Sequence, residues 1–318
     1  MIPFFKSEDY ILDTSNFSSL LHDRVVGVFE EEIASYVGAK YACTVNSATS
    51  AIFLIFLNKN TEVSVPSMIP PVVLNALITS GNKIKFYDDT DWVGNSYILH
   101  TFSNFKVVDS AQKLDKNQFK KECNPQDLMF FSHYPTKPVG SCDGGTIVSD
   151  DYEKIQRLKE FTMNGMSFSH NNWEREIKFP GFKMYMNSLQ ADIALRNLKS
   201  LEKNNEKIRK IRELYNYELG ISNISNHLYR IDVNDNQRFI KKMHGEGLVC
   251  GIHYKAQHEN DIYVRYSKKF DPDDLKKSKL KSKTTASIPF YPDLSEAQQY
   301  KVIEKIKKYN NEFPIQNI

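Results

Sequence analysis

Cysteine is scarce in this chain: four residues in 318, at Cys43, Cys123, Cys142 and Cys250, with no CxxC pair. Scattered thiols argue against a disulfide framework or a zinc site. They predict reduced, buried or semi-buried side chains in a cytoplasmic protein. Long apolar runs are missing too. The most apolar stretch, Ala51 to Leu57, falls far short of the ~18 residues of a membrane span. The opening MIPFFKSEDY lacks the apolar core and cleavage site of a signal peptide. Nor is there an excess of one charge: 42 Lys+Arg face 39 Asp+Glu, a formal net charge of +3. No net field therefore favours nucleic acid or an anionic membrane as a main partner. Neither a GxGxxG nor a Walker A sequence occurs, so dinucleotide and P-loop sites lack their fingerprints. No repeat of fixed period is present. His100, His133 and His170 have no local metal spacing and read as structural, with no metal expected. Trp92 and Trp173 lack an interleaved basic patch and read as packing residues rather than base-stacking platforms.

What is present is ordinary globular composition, 41% hydrophobic and 25% charged, which excludes wholesale disorder. The length predicts about two domains and a core needing no staple. Arg24 to Tyr36 reads as an amphipathic helix closed by Gly38. Strands are predicted at Tyr41 to Val45, Glu62 to Val65, Lys83 to Tyr87, Lys106 to Asp109, Leu128 to Ser132 and Gly145 to Ser149. Helices fall at Ser47 to Leu57 and Val72 to Thr79. This alternation predicts an α/β fold with a mostly parallel central sheet flanked by helices. Ser188 to Leu219 reads as one long helix with room for a kink. Beyond it the pattern is α+β. Strands are expected at Leu228 to Val233 and Ile252 to Tyr254, and helices at Gln237 to Glu246 and Ser295 to Tyr309. Asp271 to Lys283, rich in Lys and Asp, reads as a solvated loop. The division expected is a large domain over 1–205, with an N-terminal arm, and a smaller α+β domain over 206–318.

Three clusters could carry chemistry. Val45-Asn46-Ser47-Ala48-Thr49-Ser50 joins a strand to a helix, where free N–H groups and three hydroxyls make a phosphate cradle. Taken alone, plain N-capping explains it better. Val107-Val108-Asp109-Ser110-Ala111-Gln112 puts an Asp at a strand end, where α/β sheets place ligands; capping of the next helix is an equal alternative. Ser132-His133-Tyr134-Pro135-Thr136-Lys137, followed by Asp143-Gly144-Gly145, puts one lysine in a loop after a strand. Such a lysine can form a Schiff base, although most lysines are simply exposed. Together the three compose the pyridoxal 5′-phosphate constellation: phosphate donors, an acidic partner for the ring nitrogen, and an amine.

The ordered set resembles the DegT/DnrJ/StrS family of nucleotide-sugar aminotransferases. Phe29-Glu30, Tyr36 to Ala42, Val45 to Ala51, Pro66-Ser67, Asp109 with Gln112, Ser132 with Pro135-Thr136-Lys137, Gly144-Gly145, Leu189-Gln190-Ala191, Gly251 to Tyr254 and Ile288 to Pro292 carry it across nearly the whole chain. The resemblance implies a fold-type I pyridoxal enzyme. Lys137 would hold the cofactor as an internal aldimine and shuttle a proton, and Asp109 would keep the ring nitrogen protonated. Gln112 would sit beside the ring, and Ala48, Thr49 and Ser132 would bind phosphate. It also implies a homodimer, with the stretch around Lys183 serving the neighbouring subunit's cofactor.

Departures from the family pattern bear on substrate and donor recognition. Met68-Ile69-Pro70-Pro71 replaces the aromatic that normally stacks on the ring, leaving Pro70, Met68 or another residue to cover it. Lys183 stands for the usual Asn, Tyr185 for an Arg, and Tyr134 for a His. Lys137 argues against the dehydratase branch, where His takes its place. His253 and Tyr254, with His258, are candidates for contact with the donor carboxylate or the sugar, weighed evenly against semi-exposed loop residues. The expected activity is amino transfer from glutamate to a keto group of a nucleotide-linked sugar. The alternatives are other pyridoxal chemistry, such as a decarboxylase or lyase, or a non-catalytic partner subunit. The chain is short for the family, and the shortfall falls between Asp88 and Val108, where a further helix and strand are expected. Tyr97 to Thr101 is all that stands in their place.

Overall fold

Local capping starts most of the helices, and the computed structural model, which describes residues 1–7, 14–167 and 175–316, shows what each start leads to. Asp23 caps α1 (Arg24–Val37) by accepting from the Val25 N–H, and Gly38 closes it. After β1 (Tyr41–Val45), Ser47 caps α2 (Ala48–Phe56) by accepting from Ser50 N–H. β2 (Glu62–Pro66), α3 (Pro71–Thr79) and β3 (Lys83–Tyr87) form a right-sized βαβ unit, with β2 parallel to β3. β4 (Tyr97–Thr101) and β5 (Lys106–Asp109) follow, then α4 (Gln118–Glu122), β6 (Leu128–Ser132), β7 (Gly145–Ser149) and α5 (Tyr152–Thr162). α6 (Ser188–Leu219) is one continuous helix opened by an Asn187–Gln190 capping box. The rest is β8 (Tyr229–Asp232), α7 (Asn236–Gly245), α8 (Asp261–Tyr266), α9 (Lys276–Thr284), β9 (Thr285–Ile288) and α10 (Glu296–Lys308). His170 and Trp173 lie outside the described residues.

The α/β class expected from the sequence holds, with a mixed rather than a mostly parallel sheet. The strands run β1-β7-β6-β5-β4. β5 and β6 are parallel, whereas β1/β7, β6/β7 and β4/β5 are antiparallel. The β4/β5 direction follows from the short link at residues 102–105, closed by a Phe102 N–H to Phe105 carbonyl bond of 2.8 Å. Parallel neighbours need a crossover of a dozen or more residues. A link this short forces a hairpin.

Side chains alternate across the sheet as a period of two demands. Phe130, Ile147 and Val107 pack with α2 and α3, beside Ile52, Leu74 and Leu77. Met129, Phe131, Val148 and Val108 face the other way, onto Phe29, Ile33 and Val37 of α1 and Ala191, Ala194 and Leu198 of α6. The far half of α6 belongs elsewhere. Ile208, Ile211 and Tyr215 join β8, β9 and α10 in a separate core that also takes Ile2.

Three local expectations are corrected. Residues 271–283 are not a loop: a 3-10 turn at Pro272–Leu275 leads into α9. No apolar period marks this helix. Its first N–H groups are satisfied by a distant carboxylate, Asp88, which accepts from Lys277 N (2.8 Å), Ser278 N (2.6 Å) and Ser278 Oγ (2.6 Å). Ile252 to Tyr254 is not a strand; there the chain makes single bridges, Gly251 with Ser287 and Met68 with Ala256. Cys142 is exposed, whereas Cys43 and Cys250 are buried and Cys123 is half-buried; all four are free thiols. Among the described residues, no helix is long and apolar enough to cross a membrane.

Candidate active site

The ends of β5 and β6 and the start of α2 enclose a cavity of about 450 Å³, a volume suited to a cofactor or small ligand. Pro70, Val72, Val73, Trp92, the His253–Tyr254 segment, His227 and the N-terminal Phe4 and Phe5 stand in its wall.

One end is the N-terminus of α2. Ala48 and Thr49 present N–H groups that lack an acceptor four residues back, and Ser47 Oγ is turned to Ser50 N at 3.1 Å. β7 comes close because residue 145 is glycine. A Cβ there would lie 2.7 Å from Ala48 N and 2.9 Å from Ser47 C. The cradle is thus kept open by the absence of one methyl group.

Asp109, last in β5, is 5% exposed. Its Oδ1 accepts from Ala111 N–H at 2.9 Å and its Oδ2 from Tyr97 Oη–H at 2.9 Å. Burial pushes its pKa up, while the Ala111 N–H, the Tyr97 hydroxyl and the Lys137 charge pull the other way. Gln112 bridges two walls: its Oε1 accepts from Gly94 N–H at 2.8 Å and its Nε2 donates to Tyr254 Oη at 3.0 Å. Tyr254 lies parallel to Trp92, with ring centroids 6.0 Å apart.

Lys137 sits in the β6–β7 loop, its N–H donating to the Tyr134 carbonyl at 2.8 Å. Enclosure of the ammonium lowers its pKa to about 8, against the opposing pull of Asp109. Its Nζ is 3.4 Å from His227 Nε2. Burial, then the charge of Lys137, holds His227 well below the ordinary imidazole range, so it is neutral. Burial, then Lys137 and Arg230, lowers His253 to about 4. A site containing one amine that is part neutral near pH 8, beside neutral imidazoles and a buried carboxyl, can take up and return protons at fixed atoms.

Of the residues singled out from sequence, Ala48, Thr49, Asp109, Gln112, Ser132, Tyr134, Lys137, His253 and Tyr254 all line this one cavity. Lys183 does not. It is exposed and pairs through its backbone with Met163. His258 is also apart, bonded through Nδ1 to Ser67 Oγ. His133 is structural: its Nδ1–H donates to the Val139 carbonyl and its Nε2 accepts from Thr146 Oγ1. Pro70 lines the cavity, whereas Met68 is fully buried and does not.

Sequence reasoning missed Tyr97 and His227 and read Trp92 as packing. His227 arrives through a tether. Ser225 Oγ donates to the Gly94 carbonyl at 3.0 Å and accepts from His227 N–H at 3.0 Å. Gly94, at φ 91°, allows the approach, since a Cβ would stand 2.6 Å from Ser225 Oγ. No local pattern around residue 227 signals this.

The sequence profile of the DegT/DnrJ/EryC1/StrS aminotransferase family matches residues 9–93 and 107–307, so β4 and its link to β5 lie outside the match. The UDP-4-amino-4,6-dideoxy-N-acetyl-beta-L-altrosamine transaminase of Campylobacter jejuni is 24% identical over 349 residues, covering 89% of this chain and 91% of that one. The Bacillus subtilis spore coat polysaccharide biosynthesis protein SpsC is 25% identical, with 88% of each chain covered. In structure, Helicobacter pylori PseC, an aminotransferase of pseudoaminic acid biosynthesis, superposes with a TM-score of 0.78 at 19% identity, over 98% of this chain and 100% of that one. That likeness establishes the shared fold.

Proposed function

Because this chain belongs to the DegT/DnrJ/EryC1/StrS aminotransferase family, we propose that it is a pyridoxal 5′-phosphate enzyme moving an amino group from glutamate to a keto group of a nucleotide-linked sugar. The observation that carries the reading is the meeting of the α2 cradle, Asp109 and Lys137 in one cavity. The residues fit the cofactor chemically. An open helix N-terminus suits a phosphate, a buried carboxyl suits a ring nitrogen, and a desolvated amine suits an aldehyde. The missing Cβ at Gly145 leaves room for the phosphate.

Bound pyridoxal phosphate supplies the aldehyde carbon and the electron-withdrawing ring that amino transfer requires. Ala48 and Thr49 N–H groups, with Ser132, hold the phosphate. Asp109 holds a proton on the ring nitrogen. Gln112 orients the ring edge. Lys137 moves the proton at the reacting carbon, and His227, neutral and within 3.4 Å of Nζ, steers the amine. Pro70 and Trp92 supply apolar walls, and Tyr134, His253 and Tyr254 face the substrate. Lys183, exposed and outside this cavity, serves a neighbouring copy in a homodimer as a point charge for phosphate. The chain folds as two units, 1–205 and 206–318, joined by α6, and works in the cytoplasm. The substrate class draws on the C. jejuni relative's activity on a UDP-linked sugar. The retention together of a buried Asp109 and a half-buried Lys137 whose enclosed amine is desolvated speaks for catalysis rather than a drifted partner subunit.

Purified protein is expected to carry a visible absorbance band that Lys137→Ala abolishes, and glutamate is expected to bleach it. A colourless wild type that takes up no cofactor sinks the proposal. A coloured protein that glutamate leaves unchanged points to other pyridoxal chemistry.

A further inference from the structure

The β4/β5 hairpin delivers a side chain to Asp109, one of the residues that line the cavity. In the β4/β5 register Tyr97 stands opposite Asp109. Its hydroxyl donates to Asp109 Oδ2 at 2.9 Å, and Trp92 packs on its ring at 4.6 Å. A parallel strand reached through a crossover would run the other way and place a different residue there. The family match leaves out residues 94–106, and Tyr97 lies among them.

We propose that Tyr97 is a positioning residue for Asp109, orienting its carboxylate and keeping it ionised toward the ring nitrogen of the cofactor. The inference rests on the pyridoxal reading above. A carboxylate has about four lone-pair sites. The Ala111 N–H takes one on Oδ1 and Tyr97 takes one on Oδ2. Two donors from different strands and turns fix the plane of the group, and each leaves a lone pair free. The charged and titratable groups facing Asp109 are Tyr97 on β4, Lys137 in the β6–β7 loop and Tyr254 beyond Gly251. Burial and the neighbouring Asp109 hold the Tyr97 phenol well above its ordinary range, so it stays a donor at working pH. Without it, a carboxyl already pushed up by burial keeps only one hydrogen-bond donor.

The test compares cofactor-loaded wild type, Tyr97→Phe and protein with 3-fluorotyrosine at position 97. Two quantities are read: the dissociation constant for pyridoxal phosphate, and the apparent pKa of its visible band. Tyr97→Phe is expected to weaken cofactor binding about tenfold, the lower range for a hydrogen bond to a charged group. It is also expected to raise the band's pKa, because a less protonated ring nitrogen withdraws less charge from the conjugated titrating group. The fluorinated phenol, a stronger donor, moves the pKa the opposite way. In an Asp109→Asn background the Tyr97→Phe effect should vanish, since the two act as one unit. Wild type and Tyr97→Phe with equal constants and equal pKa values overturn the role of Tyr97 while leaving the pyridoxal reading intact. A wild type without a visible band overturns both. Should Tyr97→Phe fail to fold, the fluorotyrosine protein decides: an unmoved pKa overturns the proposal.

Discussion

Replacing Lys137 with methionine should stabilise the cofactor-free protein. Folding encloses the ammonium and lowers its pKa from 10.5 to about 8. A tenfold change in proton affinity corresponds to ~1.36 kcal/mol, so the buried charge costs about 3 kcal/mol at pH 7. Part of that is returned in the variant, because Asp109 loses a neighbouring cation. The net gain expected is about 2 kcal/mol. The sign with pH follows from proton counting. Below pH 8 both states hold the proton and the full cost is present. Between pH 8 and 10.5 the unfolded chain binds more protons, so wild-type stability rises with pH. Above 10.5 the cost is gone. Urea unfolding of both proteins at about pH 6.5, 7.5, 8.5 and 9.5 checks this. The methionine variant should lead at the two lower values, and its lead should shrink through the two higher ones. A lead that is zero, or flat across the series, would refute desolvation of the amine. The same lowered pKa makes the amine nucleophilic: cofactor uptake by wild type should speed up as pH rises through about 8.

Gly145→Ala should close the cradle. Its Cβ would meet Ala48 N at 2.7 Å, so phosphate affinity should fall at least tenfold while overpacking costs about 1–3 kcal/mol of stability; equilibrium dialysis with pyridoxal phosphate and a urea titration measure the two. Asp88→Ala removes the remote cap of α9. A loss of about 1–2 kcal/mol is expected, with faster amide exchange at Lys277 and Ser278, and unchanged exchange there would contradict the capping role.

Much of the framework was legible because it is local. β1, β5, β6 and β7 coincide with short apolar runs and β3 with an alternating one, each beside a turn or loop residue such as Asn46, Asp88 or Asp127. α2 and α6 start at their own Ser47 and Asn187 caps. α9 was not legible, because its cap is Asp88, distant in sequence, and its buried positions are the serines Ser278 and Ser282 rather than apolar residues. Cys142 shows the same limit, since nothing in its neighbours marks it as exposed.

The site divides along the same line. The sequence determined which groups are present: the cradle at residues 47–49, Asp109, Gln112 and Lys137, each announced by a strand end beside a turn. Their order along the chain pointed to a pyridoxal site, and the wider ordered set of motifs pointed to the family that the profile match shows. Only the tertiary structure decided what surrounds them. Strand direction put Tyr97 on Asp109, and a short link set that direction. The Ser225–Gly94 tether put His227 beside Lys137. Enclosure then lowered the pKa of the lysine to about 8. Direction, tethering and desolvation arise between segments far apart in the chain, and no window of sequence contains them.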